Sequence, residues 1–479
     1  MMIKFGRNEE MVFSSLTFLF FFLPIVLISY YSFFPFGNRC KNYILILASL
    51  IFYAWGDARF VFLMIFSIIA NYFFGLQVDA HSKANRKLWL VLSILFNLSI
   101  LIIFKYSGFL FGMKNIPLPL GISFYTFQVM SYIIDVYRKD SKAQKKVTNL
   151  ALYISLFPKL TAGPIVRYQM FDNQINSREH SWVKFAEGVN RLVFGLAKKV
   201  ILADQLAEVA NGMFMKDAAA LSVLGSWIGA ICFALQIYFD FSGYSDMAIG
   251  LGKMFGFDFS ENFNYPYISQ SVSEFWRRWH ITLGSWFRDY VYIPLGGNRV
   301  TKIKYLRNLF VVWLLTGLWH GAAWNFIIWG LYYGLFISLE KLFLERLLKR
   351  LPKMTRHIYL ILIVLVGWVF FRADNIMEGV NYIGVMMGFG SDPIINNDVL
   401  LYLKDYWYVI LASAIFSTPV GKLFHNIFDR INKKSEKLSR FMQNGLSYAF
   451  QSSVLVSFML MVVVLLVRSS YNPFLYFKF

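Results

Sequence analysis

Charge is scarce in this chain. Asp, Glu, Lys and Arg make up 15% of 479 residues, where soluble globular proteins carry about 25%, so a surface facing water on every side is excluded. Cysteine is nearly absent. Cys40 and Cys232 lie in or beside apolar segments, and two thiols make no disulfide framework. There are six histidines, with neither an i, i+4 pair nor a Cys/His spacing suited to zinc, so no metal site is expected. The HExxH, Walker and GxSxG patterns do not occur, which removes the common metalloprotease, P-loop and serine-hydrolase readings. Long linkers, low-complexity tracts and repeats of about 20–50 residues are also missing.

Apolar and aromatic residues fill the space, at 57% and 19% of the chain. Apolar runs, compared with the about 20 residues that cross a bilayer as a helix, fall near 11–34, 42–55 (short), 58–76, 88–104, 117–136, 148–165, 188–210, 220–250, 308–338, 358–371, 406–419 and 447–467, several of them interrupted by polar residues. The expectation is an all-α polytopic membrane protein with about ten to twelve transmembrane helices. The first run is too long for a signal peptide and no small-residue cleavage site follows, so it reads as a retained helix. The net charge of +20 does not point to nucleic acid, because the Lys and Arg lie in short loops between apolar runs. Residues 77–87, 137–147, 340–357 and 420–446 are basic and 372–405 is acidic. The positive-inside rule makes the basic loops cytoplasmic and the acidic one external.

Polar residues inside such runs are costly and usually mark a cavity or pathway. Four clusters stand out. "PLPLGISFYTFQVMSYIIDVYRKD" (117–140) breaks at two prolines and Gly121 before Ser123, Tyr125, Gln128 and Asp135. "LFPKLTAGPIVRY" (156–168) carries Lys159 and Arg167. "QIYFDFSGYSDMAIGLGKMFGFDF" (236–259) carries Asp240, Tyr244 and Asp246. "SEFWRRWHITLGSWFRDYVYIPLGG" (273–297) holds Trp276, Arg277, Arg278, Trp279 and His280. The last is too polar for a lipid-facing span and reads as a re-entrant or interfacial segment lining a cavity.

His81, His180, His357 and His425 fall in loops among charges and read as solvated surface. His280 and His320 are different, each flanked by Trp inside an apolar or cavity-lining segment. Two readings stay open at this point. The imidazoles tie helices together by hydrogen bonds, or they exchange protons, since a neutral imidazole in an apolar wall can act as general base on a hydroxyl.

The blocks "FWRRWHITLGSWFRDYVYIPLGGNR" and "GLWHGAAWNFIIWGLYYG" resemble the membrane-bound O-acyltransferase (MBOAT) family, in its bacterial branch of alginate and peptidoglycan O-acetylation. "MVFSSLTFLFFFLPIVLISYY", "ASLIFYAWGDARF", "LPLGISFYTFQVMSYIIDVYR", "FPKLTAGPIVRY" and "YFDFSGYSDMAIGLGKMFGF" extend the resemblance over nearly the whole chain. Proteins of this branch typically begin at the "MVFSS" block. Residues 1–10 therefore read as an N-terminal extension and 11–479 as a single transmembrane domain. The resemblance implies a ring of helices around a central funnel or tunnel. It assigns His320 as the catalytic histidine and His280 as the second functional position. Acetyl transfer from a cytoplasmic thioester, acetyl-CoA, is implied, with no tightly bound cofactor. His320 would take the hydroxyl proton, and His280 would orient the acyl group or stabilise charge on its carbonyl oxygen.

Arg277 and Arg278 are placed either on donor phosphates or as interfacial anchors. Trp276, Trp319, Asp240 and Tyr244 are placed as substrate-cavity side chains, with Asp240 and Asp246 read first as acceptors that tie helices. The partners implied are the bilayer of a bacterial inner membrane and an exported SGNH-type transferase that acetylates the polysaccharide. Rival expectations are D-alanyl transfer to teichoic acid from a carrier protein, a transporter, and a scaffold of a polysaccharide export complex.

Overall fold

The computed structural model describes residues 11–32, 37–80, 82–113, 116–217, 220–390, 393–421 and 440–468. The N-terminal extension, His81, His425 and most of the basic loop 420–446 lie outside the described residues. Helix and irregular backbone account for the described residues, with no strand among them. Among the described residues six helices are long and apolar enough to cross a membrane: Arg59–Ala80, Ala84–Phe111, Val223–Met254, Trp324–Leu348, Lys353–Arg372 and Asn397–Phe416. Phe18–Ser32 and Ser452–Arg468 are shorter apolar helices. The protein is an all-α, multi-pass membrane protein.

Several expected spans are divided. The run 148–165 forms Val147–Ser155 and Phe157–Leu160, broken where Pro158 removes a backbone donor. The run 308–338 is likewise two helices, Lys302–His320 and Trp324–Leu339, with extended backbone at Gly321 and Ala323 between them. His320 is thus the last residue of a helix and not the middle of a span. A chain end exposes carbonyls and side chains that a continuous helix would cover.

The chain packs as two compact units. The first comprises residues up to Leu192 with Tyr244–Glu261. Its spans Arg59–Ala80 and Ala84–Phe111 are joined by a buried reciprocal amide pair, Asn71 and Asn97 donating to each other at 3.1 and 2.7 Å. Such pairs supply directional contact where apolar burial gives no preference. The first two polar clusters also meet here, Nζ of the fully buried Lys159 donating to the Gln128 side chain and the Tyr153 carbonyl. Tyr30 donates its single hydroxyl proton to the Phe255 carbonyl at 2.8 Å and accepts from Arg178 Nε at 3.0 Å, so His180 Nε2–H is the donor at 2.8 Å. His180 is therefore a partly buried tertiary tie and not the solvated residue expected. Burial, with Lys41, Arg178 and Lys184 nearby, pushes its pKa down to about 4.

The second unit comprises Val193–Gly243 and Asn262–Val467. Both Trp-flanked histidines belong to it. Five of its helices build their surroundings: α1 (Val272–Arg278), α2 (Ile281–Phe287), α3 (Lys302–His320), α4 (Trp324–Leu339) and α5 (Lys353–Arg372). Helices α3 and α4 cross with their backbones in contact. A Cβ at Gly317 would stand 2.5 Å from the Phe326 carbonyl oxygen, and one at Gly330 closer still to that of Trp313. Small residues at such crossings let dispersion contacts replace the missing hydrophobic drive.

Candidate active site

Helix α1 begins at a cap that the sequence hid. Ser271 accepts from the Glu274 N–H, and the buried Glu340 carboxyl accepts from the N–H groups of Val272 at 2.6 Å and Ser273 at 2.9 Å. Tyr359 of α5 donates to the same carboxyl at 3.3 Å. A negative group at a helix N-terminus meets both the orphan donors and the positive end of the dipole. Glu340 thus fixes the segment carrying Trp276, Arg277 and His280, with a residue that reads in sequence as one more loop charge.

Helix α1 ends at Arg278 with Trp279 as its C-cap, and His280 takes the left-handed conformation, φ 45° and ψ 52°. A bulky side chain rarely adopts this region, and such strain persists where the surroundings impose it. Asn262 imposes it. Its carbonyl accepts the Ile281 N–H at 2.9 Å, and its side-chain Oδ1 receives three contacts: Thr282 N–H at 3.3 Å, Thr282 Oγ1 at 2.9 Å and His280 Nδ1 at 3.0 Å. A backbone N–H cannot accept, so that atom is the amide oxygen and not the nitrogen. His280 Nδ1 must then carry the proton it donates, and in the neutral ring Nε2 is the acceptor. Donating to a developing oxyanion, one of the two roles expected above, would require the doubly protonated ring.

His280 is 2% exposed and lines a cavity of about 440 Å³, with Trp276, Arg277, Arg288, Trp313 and Thr316 among the other lining residues. This is the cavity expected of the fourth polar cluster. The Trp276 ring packs against Trp313, Trp329 and Tyr333 at 4.9, 5.5 and 4.8 Å between centroids. His320 is 3% exposed and is not among the lining residues. Its ring stands edge-on among Trp319, Trp329 and Phe371 at 4.9, 4.8 and 5.4 Å. Trp319 also packs on His280 at 6.0 Å, so one indole separates the two imidazoles.

The remaining site candidates are placed unevenly. Trp276 and Arg277 line the cavity, and Trp319 joins the histidines. Arg278 turns away from it, bonded to Glu274 at 3.0 Å and to the Asn264 carbonyl at 3.2 Å. Asp240 is buried in an ion pair with Lys199 at 2.6 Å, and Lys199 also holds Asp204 at 2.8 Å. This is the helix-tying role read first for Asp240. Asp246 is the same kind of tie, held by Arg191 at 2.8 Å. Tyr244 falls in the first unit, where its hydroxyl bonds Thr161 and its ring stacks on Phe13 at 4.8 Å. These contacts place Tyr244 in the core of that unit. His357 is not simply solvated, since its Nδ1–H donates to the Ser269 carbonyl at 3.1 Å. Asn262 and Glu340 are the site residues that the sequence reading missed.

Paired histidines in an aromatic wall beside a cavity mark the candidate active site of this all-helical membrane protein. The MBOAT, membrane-bound O-acyltransferase family, profile matches residues 143–379. The chain is 44% identical over 398 residues to the probable alginate O-acetylase AlgI of Pseudomonas aeruginosa, covering 80% of this chain and 76% of that protein. It is 40% identical to the protein of the same name in Pseudomonas putida, over 98% and 100% of the two chains. It is 32% identical to the peptidoglycan O-acetyltransferase of Helicobacter pylori, over 100% and 99%. The chain belongs to the membrane-bound O-acyltransferase family, in the branch of these O-acetylation proteins, and is an O-acyltransferase.

Proposed function

We propose that this protein takes an acetyl group from a cytoplasmic thioester, acetyl-CoA, and passes it across a bacterial inner membrane for O-acetylation of an extracytoplasmic polysaccharide, alginate or peptidoglycan. The observation that carries this reading is the cavity lined by His280 and Trp276, with Trp319 linking His280 to His320. The thioester lies in the cavity with its carbonyl near His280. His320, shielded from water by its aromatic neighbours, takes the proton of an attacking hydroxyl. The hydroxyl oxygen bonds to the carbonyl carbon, the carbon–sulfur bond breaks, and the thiol leaves with the proton that His320 returns. Neutral His280 accepts a hydrogen bond at Nε2 and orients the donor. Its Nδ1 is already held by Asn262.

An exported SGNH-type transferase then places the acetyl group on the polymer. Purified protein in liposomes, given acetyl-labelled CoA, should release or transfer the label. His320→Ala should lower turnover by about 10²–10⁴-fold, the usual contribution of a positioned base. Equal turnover in wild type and variant would remove His320 from the chemistry. Turnover only with an acylated carrier protein would favour the carrier-dependent branch of the family.

A further inference from the structure

The first unit holds a group of buried cations that the acyl-transfer reading leaves unused. Lys41 is 2% exposed and Arg178 5% exposed. Both stand over the ring of Tyr30, 5.4 and 5.8 Å from its centroid. One edge of the Arg178 guanidinium is fixed: Nε donates to the Tyr30 hydroxyl and the Phe255 carbonyl at 3.0 and 3.1 Å, and Nη1 to the Ile175 carbonyl at 2.7 Å. Its Nη2 is buried without an acceptor, and no carboxylate pairs with Arg178 among the described residues. Acidic groups in the adjoining segments are engaged or exposed. Asp258 holds Lys184 at 2.6 Å, Glu187 holds Lys253 at 2.5 Å, and Glu179 is exposed. Burial and the crowding of like charge lower the pKa of Lys41 and push that of His180 down to about 4. A charged donor buried without an acceptor is expensive, and an anion would relieve it.

These cations lie at the end of the unit that carries the basic loops 77–87 and 137–147. Arg86 donates to the Val136 carbonyl at 2.5 Å, and Gln144 to Asp172 at 3.1 Å, in the helix Tyr168–Ile175 that runs into Arg178. The positive-inside rule puts this end at the cytoplasmic face. Just beyond His180, Trp182 and Val183 are 84% and 70% exposed. A chain of rings joins them to the cations, Trp182 to Phe185 at 6.2 Å, Phe185 to Tyr31 at 5.7 Å and Tyr31 to His180 at 6.3 Å. Exposed Trp beside basic groups is the pattern of a membrane–water interface. Anionic lipids concentrate there, and basic pockets between helices on that side take their headgroups. We propose that Lys41 and Arg178 form a binding site for the phosphate of an anionic phospholipid in the cytoplasmic leaflet. Arg178 Nη2 donates to the phosphate oxygens, Lys41 adds charge, and Trp182 and Val183 lie against the lipid chains. A planar guanidinium suits phosphate oxygens better than a point charge does. The chemistry required is a phosphate ester, and the exposed apolar border favours a lipid over a soluble one. This inference is independent of the acetyl donor and of the reaction at His320.

The test titrates the full-length protein, in a neutral detergent, with phosphatidylglycerol, with net-neutral phosphatidylcholine and with inorganic phosphate. Lipid retention in native mass spectrometry and the Tm report binding. Phosphatidylglycerol should bind wild type about tenfold tighter than phosphatidylcholine, and Lys41→Gln and Arg178→Gln should each cut that preference about fivefold. Arg178→Lys should keep part of it. Arg39→Gln, at an exposed cation of the same end, should leave it within about twofold. Arg178 also ties Tyr30 and Ile175, so Lys41→Gln decides the matter if Arg178→Gln does not fold. Equal binding of the two lipids, with inorganic phosphate raising the Tm of wild type and not of Lys41→Gln, would uphold the phosphate site and assign it to a soluble phosphate ester. Equal binding of the lipids with no effect of phosphate would overturn the proposal, as would a preference that survives both glutamine substitutions. A loss in Arg39→Gln as large as that in Lys41→Gln would also overturn it, since general surface attraction would then explain the binding.

Discussion

Asn262→Ala tests the histidine geometry most directly. The substitution strands two fixed buried donors, His280 Nδ1–H and Thr282 N–H, while the Thr282 hydroxyl can rotate to another acceptor. At about 1–3 kcal/mol for each stranded group, the full cost is about 2–6 kcal/mol. The protein has one way to reduce it. His280 can move its proton to Nε2, which leaves Nδ1 without a donor to satisfy but turns the nitrogen serving as acceptor into an N–H. The penalty then appears as lost catalysis. The expected outcome is a folded variant with a lowered Tm and a turnover reduced by up to about 10²-fold, at the low end of what a positioned acid–base group contributes. Asn262→Asp keeps an acceptor oxygen in place and should recover much of both losses. The assay is label release from the acetyl thioester in liposomes, beside thermal unfolding in the same detergent. A folded Asn262→Ala with unchanged Tm and turnover within twofold of wild type would refute the tautomer argument.

Three further outcomes are expected. Glu340→Ala removes the acceptor of two backbone N–H groups at the start of α1, which should cost about 2–5 kcal/mol and raise the KM for the donor more than it lowers kcat; unchanged donor kinetics in a folded variant would separate Glu340 from the site. Gly330→Val drives a side chain into the Trp313 backbone and should destabilise by about 1–3 kcal/mol through overpacking, while a conservative change at the exposed Trp324 should not; thermal unfolding of the two variants decides it. His180, with its pKa pushed down to about 4 from 6.5, is neutral in the folded protein where the unfolded chain already binds a proton. The folded state therefore loses stability as pH falls from 6.5 towards 4 and gains nothing above that window. His180→Gln should flatten this slope in Tm measurements, and an equal slope in both proteins would assign it to other groups.

The parts of the site that were legible in sequence are those whose cost does not depend on partners. An imidazole inside an apolar run is expensive wherever the run folds, so His280 and His320 stand out from the other histidines without any knowledge of what faces them. The polar density of 273–297 likewise excludes lipid contact and announces a cavity. Aspartates and glutamates carry no such mark, because their meaning is set by a cation or backbone end from a distant part of the chain. Asp240 sits in an apolar run and suggests a substrate contact, yet Lys199 claims it at 2.6 Å. Glu340 borders a run as hundreds of interfacial carboxylates do, yet it holds the helix that carries His280. Asn262 lies between two polar clusters and belongs to neither, although its oxygen decides which nitrogen of His280 bears the proton. The break at Gly321 was hidden for a related reason. Glycine is common within membrane helices, and only the α3–α4 crossing, where Gly317 and Gly330 let two backbones touch, requires the chain to turn just after His320. The two candidate imidazoles were thus readable from their own chemistry, and the orientation of His280 only from residues 18 positions before it and 60 after it, at Asn262 and Glu340.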